Sequence, residues 1–229
     1  MENLTRPNDV RRLYQKVADQ IRSHIYSGEF PKGSRLPPER ELAQLIGVSR
    51  PSLREALIAL EIEGAVEVRS GSGVYVTLNI DVADSSTSLG ESPSEIMDAR
   101  ASIEGAVAAK ACARVTNEGL TALQNLLENM RATIHDGGVP LDQDRQFHVM
   151  LAAQTGNSVL MRIVGELFDE RQGIMLAKLR GQSESSDTWR KAQLEHELIY
   201  AALEAKDPGQ AEAAMRMHLH NSAVRWLGT

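Results

Sequence analysis

Residues 35–76 read RLPPERELAQLIGVSRPSLREALIALEIEGAVEVRSGSGVYV, and this stretch decides the fold of the first third of the chain. Pro37-Pro38 opens a helix, where missing backbone N–H groups cost nothing. Leu42, Leu45 and Ile46 supply that helix with an apolar stripe, and Gly47 stops it. Ser49 is placed to cap a second helix, with Pro51 tolerated in its first turn. Leu53, Ala56, Leu57 and Leu60 recur at helical spacing and must face the core, which turns Arg50 and Arg54 toward solvent. Gly64 ends the helix. Val66 and Val68 then alternate with Glu67 and Arg69, Ser70-Gly71-Ser72-Gly73 turns the chain, and Val74-Tyr75-Val76 returns. Two helices joined by a tight turn and followed by a hairpin predict a winged helix-turn-helix, which presents the start of its second helix to a DNA major groove.

Upstream, Leu13, Val17, Ile21 and Ile25 recur every four residues and predict a supporting helix that ends near Ser27-Gly28; residues 1–8 read as a frayed tail. Downstream, residues 79–92 (NIDVADSSTSLGES) are rich in Ser and Asp and read as an interdomain linker. After Pro93 the pattern is helical throughout. Helices are expected at roughly 94–114, 117–135, 141–155, 158–180, 188–206 and 208–227. Thr116 and Asp207 are placed as caps. Gly137-Gly138-Val139-Pro140, Gly156-Asn157 and the loop 181–187 are the breaks. The expected fold is therefore mainly α. A winged helix-turn-helix occupies residues 9–78, and an antiparallel bundle of six or seven helices occupies residues 93–229.

Composition is that of a globular protein, 42% hydrophobic and 24% charged in 229 residues. No apolar run approaches the ~20 residues of a membrane span, and the polar start MENLTRPND is not a secretory signal. Cys112 is the only cysteine, so a reducing cytoplasm is the expected compartment. The net charge of −6 is uneven: residues 1–78 hold 11 Lys and Arg against 10 Asp and Glu, the remainder 14 against 21. Any DNA contact must therefore come from a local arginine cluster in the first third. Arg40, Arg50 and Arg54 can fork onto guanine or clamp phosphate. Ser49 and Ser52 offer hydroxyls and free N–H groups at a helix start. Ser70 and Gly71 form a wing tip small enough for close approach to the duplex. The alternative is a solvated face in which these arginines pair with Glu39, Glu41 and Glu55.

The same stretch resembles the N-terminal domain of GntR-type bacterial transcriptional regulators. The resemblance is carried by Gly33-x-x-Leu36-Pro37-x-Glu39-Arg40-x-Leu42-Ala43, Val48-Ser49-Arg50, Leu53-Arg54-Glu55-Ala56-Leu57, Leu60-Glu61-x-x-Gly64 and Gly71-x-Gly73-x-x-Val76. It implies that Arg40, Ser49, Arg50, Ser52, Arg54, Ser70 and Gly71 contact operator double-stranded DNA. Pro51 stands where the family often carries a hydroxyl residue. A homodimer on a pseudo-palindromic operator is expected, because one recognition helix reads only a half-site. Repression rather than activation is implied by the resemblance alone.

Five of the six histidines lie beyond residue 130. Asp144 and His148, four apart, project from one helical face, an arrangement suited to chelation. His196 shares a face with Ile199 and Leu203, and His218 with Ala211, Ala214 and Met215, so both point inward. One carboxylate and three imidazoles from three helices suit a divalent transition ion. Taken one at a time, such inward histidines read better as hydrogen-bonded core residues, and spacing does not show that the three helices converge. His135 and His220 read as solvent-facing or structural. The C-terminal half is similar to the ligand-binding (FCD-type) domain of the FadR subfamily, and Asp144, His148, His196 and His218 match its metal-binding set in order. That resemblance implies a metal cofactor, zinc first, with nickel and manganese as alternatives.

Arg100, one turn before Glu104, either pairs with it on the surface or clamps the carboxylate of an effector that also reaches the metal, the role such an arginine has in related domains. RRLYQKVADQIRSHI (11–25) and EGAVEVRSGSGVYV (63–76) are similar to regulators of hexuronate and related sugar-acid catabolism, which implies a small sugar acid as effector. The competing class is a metal-dependent hydrolase or lyase with an appended DNA module. Asp144-x-x-x-His148 lacks the glutamate of the His-Glu-x-x-His pattern that activates metal-bound water, and no nucleophile elbow, phosphate loop or paired catalytic carboxylates occur. No catalytic residue is expected.

Overall fold

The glycine stops at Gly47 and Gly64 and the cap at Ser49 act as the sequence predicts. The computed structural model describes residues 13–77, 91–170 and 173–227. The tail at 1–8 lies outside these residues, as does the segment read as a linker except for Glu91 and Ser92. Helix α1 is Leu13–Tyr26, α2 Glu39–Ile46 and α3 Arg50–Ile62, followed by strands β1 (Val66–Arg69) and β2 (Gly73–Val76). Pro38 occupies the N-cap of α2, so the prolines precede the helix rather than fill its first turn. Gly47 ends α2 in the left-handed region at φ 78°, with its N–H bonded to the Ala43 carbonyl. A residue lacking Cβ adopts that conformation without penalty. Ser49 caps α3 by accepting from the Ser52 N–H at 3.3 Å.

Val17, Ile21 and Ile25 of α1 pack with Leu42 of α2 and with Leu53, Ala56, Leu57 and Leu60 of α3 into one core. Two expected core positions differ. Leu13 is 57% exposed and Leu45 55%, and Tyr14, Ala18 and Ala43 are buried instead. Leu13 and Leu45 lie at the edges of the apolar stripes of α1 and α2, and a generous periodic pattern leaves such edges in water.

The strands pair antiparallel with Arg69 opposite Gly73, so the wing turn is Ser70–Gly71–Ser72 and Gly73 belongs to the strand. Gly71 takes the left-handed conformation (φ 68°) that such a three-residue loop needs. Residues 33–36 add a short edge that the sequence did not suggest. The Leu36 N–H donates to the Val74 carbonyl and the Val76 N–H to Ser34. Arg35 lies across Gly73, where a Cβ would approach its Nε to 2.5 Å.

The second compact unit, Pro93–Thr229, holds seven helices among the described residues. They are α4 (Pro93–Cys112), α5 (Asn117–His135), α6 (Leu141–Ala153), α7 (Ser158–Asp169), α8 (Ile174–Ser183), α9 (Ser186–Glu204) and α10 (Pro208–Leu227). Helix α10 packs on α4 and α9, α5 on α6 and α9, and α6 on α4 and α7. Their shared core includes Val107, Ala111, Leu123, Phe147, Leu151, Val164, Ile199, Leu203, Met215 and Leu219. Thr116 accepts from the Gly119 N–H at 3.1 Å to start α5, and Asp207 accepts from the Gln210 N–H at 3.0 Å to start α10. Thr116→Ala is expected to cost about 1 kcal/mol, read as a lowered midpoint in chemical unfolding of the helical unit.

The helix expected over 158–180 is corrected. Helix α7 stops at Asp169, and Gly173, in an extended conformation, starts α8. The Gly173 N–H bonds the Glu170 carbonyl. Apolar periodicity carried the reading through Gly173, although glycine disfavours a helix interior by about 1 kcal/mol relative to alanine. The loop expected at 181–187 is shorter than predicted for a related reason. Ser185 and Thr188 form a reciprocal capping box, with bonds of 3.2 and 2.9 Å, that starts α9 at Ser186.

Candidate metal centre and nucleic-acid interface

Helical spacing puts Asp144 and His148 on the inner face of α6, and His196 and His218 on the inner faces of α9 and α10. Packing then brings the four together. Each offers a ligand atom, these atoms lie within 4.8 Å of one another, and all four residues are buried. His196 Nε2 is 3.1 Å from Asp144 Oδ1 and 3.3 Å from His148 Nε2, and His148 Nε2 is 3.6 Å from the same carboxylate oxygen. His135 and His220 are exposed, as expected for histidines outside the cluster.

What lies behind the imidazoles fixes which nitrogen faces inward. His148 Nδ1 hydrogen-bonds Glu104 Oε2, and His218 Nδ1 bonds Glu195 Oε2 at 2.9 Å. A carboxylate can only accept, so Nδ1 carries a proton in both rings, and in the neutral ring the Nε2 lone pair is the one that faces a cation. Glu195 is anchored in turn by Arg225, at 2.7 and 2.9 Å, and by Asn221 at 2.9 Å. Burial alone would raise the Glu195 carboxyl, but His218 and Arg225 hold it down to about 2. Burial and the neighbouring His196 push His218 down to about 3, and burial lowers His196 against the pull of Asp144. Both rings are therefore neutral, the form that ligates metal. Burial opposes charge on His148 as well, but Glu104 and Asp144 outweigh it and raise its pKa.

A nitrogen-rich set of three imidazoles and one carboxylate fits a divalent transition ion of the zinc, nickel or manganese type. A cavity of about 20 Å³, lined by Asp144, Thr188, Trp189, Ser222 and Arg225 among others, touches the carboxylate. That is room for one water beside the donors.

Arg100 does pair with Glu104, Nε to Oε1 at 2.6 Å, but not on the surface: the two side chains are 0% and 1% exposed. Burial would raise the Glu104 carboxyl, and Arg100 and His148 together hold it down to about 2. The Arg100 guanidinium also lies over the Phe168 ring, 4.7 Å from its centroid. Its two terminal nitrogens, Nη1 and Nη2, are buried with no hydrogen-bond partner among the described residues. An unsatisfied buried donor costs about 1–3 kcal/mol, so this fork is poised for an acceptor.

Sequence reasoning named Arg100 and the four cluster residues but missed what supports them. Glu195, Asn221, Ser222, Arg225 and Phe168 were passed over, and Glu104 was read only as a surface partner. A signal existed for some: Asn221, Ser222 and Arg225 follow His218 at three, four and seven residues, on the same face of α10.

In the first unit, Arg40 of α2, Ser49 and Arg50 at the start of α3, and Ser70 and Gly71 at the wing tip are exposed, and Ser52 and Arg54 are half-buried. The acidic pairing weighed as the alternative is partly present. Arg54 Nε bonds Glu39 at 2.8 Å, whereas Arg50 approaches the same carboxylate only to 3.8 Å and keeps a side chain 53% exposed. Arg69, 4.4 Å above the Tyr75 ring, and the Ser72–Tyr75 hydroxyl pair at 2.9 Å brace the wing.

A winged helix-turn-helix followed by a helical domain with this buried cluster defines a class, the two-domain DNA-binding transcriptional regulators. Residues 13–76 match the family described as bacterial regulatory proteins, gntR family, and residues 95–221 match the FCD domain. The chain belongs to the GntR family of regulators, in the group that carries an FCD domain. It is 36% identical over 226 residues to the Uxu operon transcriptional regulator of Escherichia coli strain K12, covering 95% of this chain and 88% of that protein. Against the Exu regulon transcriptional regulator of the same strain it is 35% identical over 224 residues, covering 93% and 84%. The solved structure of E. coli McbR/YncC shares the fold, with a TM-score of 0.54, 23% identity and coverage of 95% of this chain and 98% of that one. These relatives are regulators of transcription, not enzymes. Among the described residues no helix is long and apolar enough to cross a membrane.

Proposed function

We propose that this chain is an operator-binding repressor whose affinity for DNA is set by a small sugar acid, held in the helical domain by a divalent metal and by Arg100. The observation that carries this reading is the buried fork of Arg100, two donors without an acceptor, joined through Glu104 to a four-donor cluster. Asp144, His148, His196 and His218 hold the ion, zinc first, with nickel or manganese as alternatives. The ion supplies a positive charge that accepts a carboxylate or hydroxyl oxygen. Arg100 takes an anionic group bidentately. The likeness to regulators of the Uxu operon and Exu regulon, with the hexuronate character of residues 11–25 and 63–76, selects galacturonate or glucuronate as the first effectors to test.

On DNA the protein acts as a homodimer at a pseudo-palindromic operator. Arg40, Arg50 and Arg54 meet bases and phosphates, Ser49 and Ser52 meet phosphate, and Ser70 and Gly71 bring the wing to the duplex. Effector binding changes the placement of the two DNA modules, a coupling between distinct sites.

Thermal unfolding of metal-loaded and chelated protein across uronates, aldarates, lactate and dicarboxylates tests the reading. A ligand at a hundred times its dissociation constant adds about 2.7 kcal/mol. A uronate is expected to raise the melting temperature of the loaded protein alone and to release operator DNA. Stabilisation by no acid, with no response to chelation, would return the histidines to the core.

A further inference from the structure

Glu104 touches both halves of the proposed effector site. Its Oε1 accepts from Arg100 Nε at 2.6 Å and its Oε2 accepts from His148 Nδ1. All three side chains are 0–1% exposed, so water screens none of these contacts. A single carboxylate thus divides its negative charge between the guanidinium that lacks an acceptor and an imidazole of the metal cluster. The other supporting carboxylate, Glu195, is likewise shared between an imidazole of the cluster and a guanidinium, but that guanidinium is Arg225, which also bonds Ser222. Neither contact leads to Arg100.

We infer that Glu104 is the positioning residue that couples anion binding at Arg100 to metal binding at His148, so that each strengthens the other. The inference rests on the metal-and-anion reading above. A cation on His148 Nε2 polarises the ring and strengthens the Nδ1–H bond to Oε2. The Glu104 charge is drawn toward His148 and neutralises Arg100 less, so Nη1 and Nη2 become better donors to an anion. In the other direction, an anion on Arg100 loosens the guanidinium from Oε1. Glu104 then accepts more strongly from His148, whose Nε2 becomes the better ligand. Linkage requires the two factors to be equal.

The test measures the zinc affinity of full-length protein by competition with a chromophoric chelator. It is run without added anion, with D-glucuronate, and with acetate as the minimal carboxylate. In the unaltered protein an anion is expected to tighten zinc by a factor within the roughly 5- to 150-fold range of coupled sites. Glu104→Gln is expected to weaken zinc roughly 10- to 100-fold and to reduce the anion factor to the part that direct ligation of the ion by the anion supplies. Glu195→Gln should weaken zinc to a similar degree and keep the factor of the unaltered protein, a contrast between the two variants that a merely structural role for Glu104 would not produce. Glu104→Asp, one methylene short of spanning both partners, carries the same expectation as Glu104→Gln should the latter fail to fold.

A full anion factor in Glu104→Gln, or its reduction in both glutamine variants alike, overturns the inference. So does the absence of any anion factor in the unaltered protein. Tightening by acetate but not by glucuronate, reduced only at Glu104, supports the coupling while removing the sugar acid as effector.

Discussion

Arg50→Ala is expected to abolish specific operator recognition while leaving both folded units intact. Arg50 follows the cap of α3, its side chain is 53% exposed, and Glu39 holds it only at 3.8 Å. Its guanidinium is therefore available to fork onto a guanine edge. A bidentate arginine–guanine contact is worth about 1–3 kcal/mol of discrimination. With one such contact in each half-site of a two-fold operator, the loss is about 2–6 kcal/mol, or roughly 30-fold to 10⁴-fold in affinity. Exposed substitutions away from caps and cores change stability by about 0.5 kcal/mol or less, so unfolding should be unaffected. The measurement is fluorescence anisotropy against an operator selected by the unaltered protein and against a scrambled duplex. Binding to the scrambled duplex, which depends on phosphate contacts, should fall far less. Unchanged discrimination between the two would take Arg50 off the DNA face. Arg54, held by Glu39 at 2.8 Å and half-buried, is a less clean probe, because its removal also unpairs a carboxylate between α2 and α3.

The second large effect is expected at His196. Its Nε2 lies between Asp144 Oδ1 and His148 Nε2, at 3.1 and 3.3 Å, and the ring is fully buried. Losing an outer partner of a metal ligand costs roughly 10- to 100-fold in affinity, and losing the ligand itself must cost more. His196→Ala should therefore leave the purified protein nearly metal-free by elemental mass spectrometry, with no response of operator binding to uronates. Basal operator affinity should stay, since the residues proposed to face DNA belong to the other unit. The cavity left by an alanine also destabilises the helical unit, so His196→Asn, which keeps more volume with a weaker donor, is the control. Stoichiometric metal in both variants would make His196 a core histidine.

How much of this was legible differs between the units. In the DNA module the deciding signals are local: Gly47 and Gly64 in left-handed conformations, Ser49 at a cap, and a four-residue repeat in α1 and α3. Each acts over a few residues, so reading them in order reproduces the fold. The additional edge at residues 33–36 was not legible, because it exists only once the wing is in place. In the helical unit, caps at Thr116 and Asp207 and the break at Gly156-Asn157 set helix starts well, and the break at Gly173 was hidden by apolar residues continuing on both sides.

Sequence by itself determined the winged helix-turn-helix and the face of its own helix that each histidine occupies, because helical periodicity and capping are one-dimensional properties. Tertiary structure decided whether those faces meet. Asp144, His148, His196 and His218 are up to 74 residues apart in the chain, and only the packing of α6, α9 and α10 brings their ligand atoms within 4.8 Å. Burial of Arg100 and Glu104 was likewise invisible, since an Arg-x-x-x-Glu pair reads as an ordinary surface ion pair. Inside the bundle the same pair is desolvated, packed against Phe168 and tied to His148, and those surroundings remove the surface reading of Arg100.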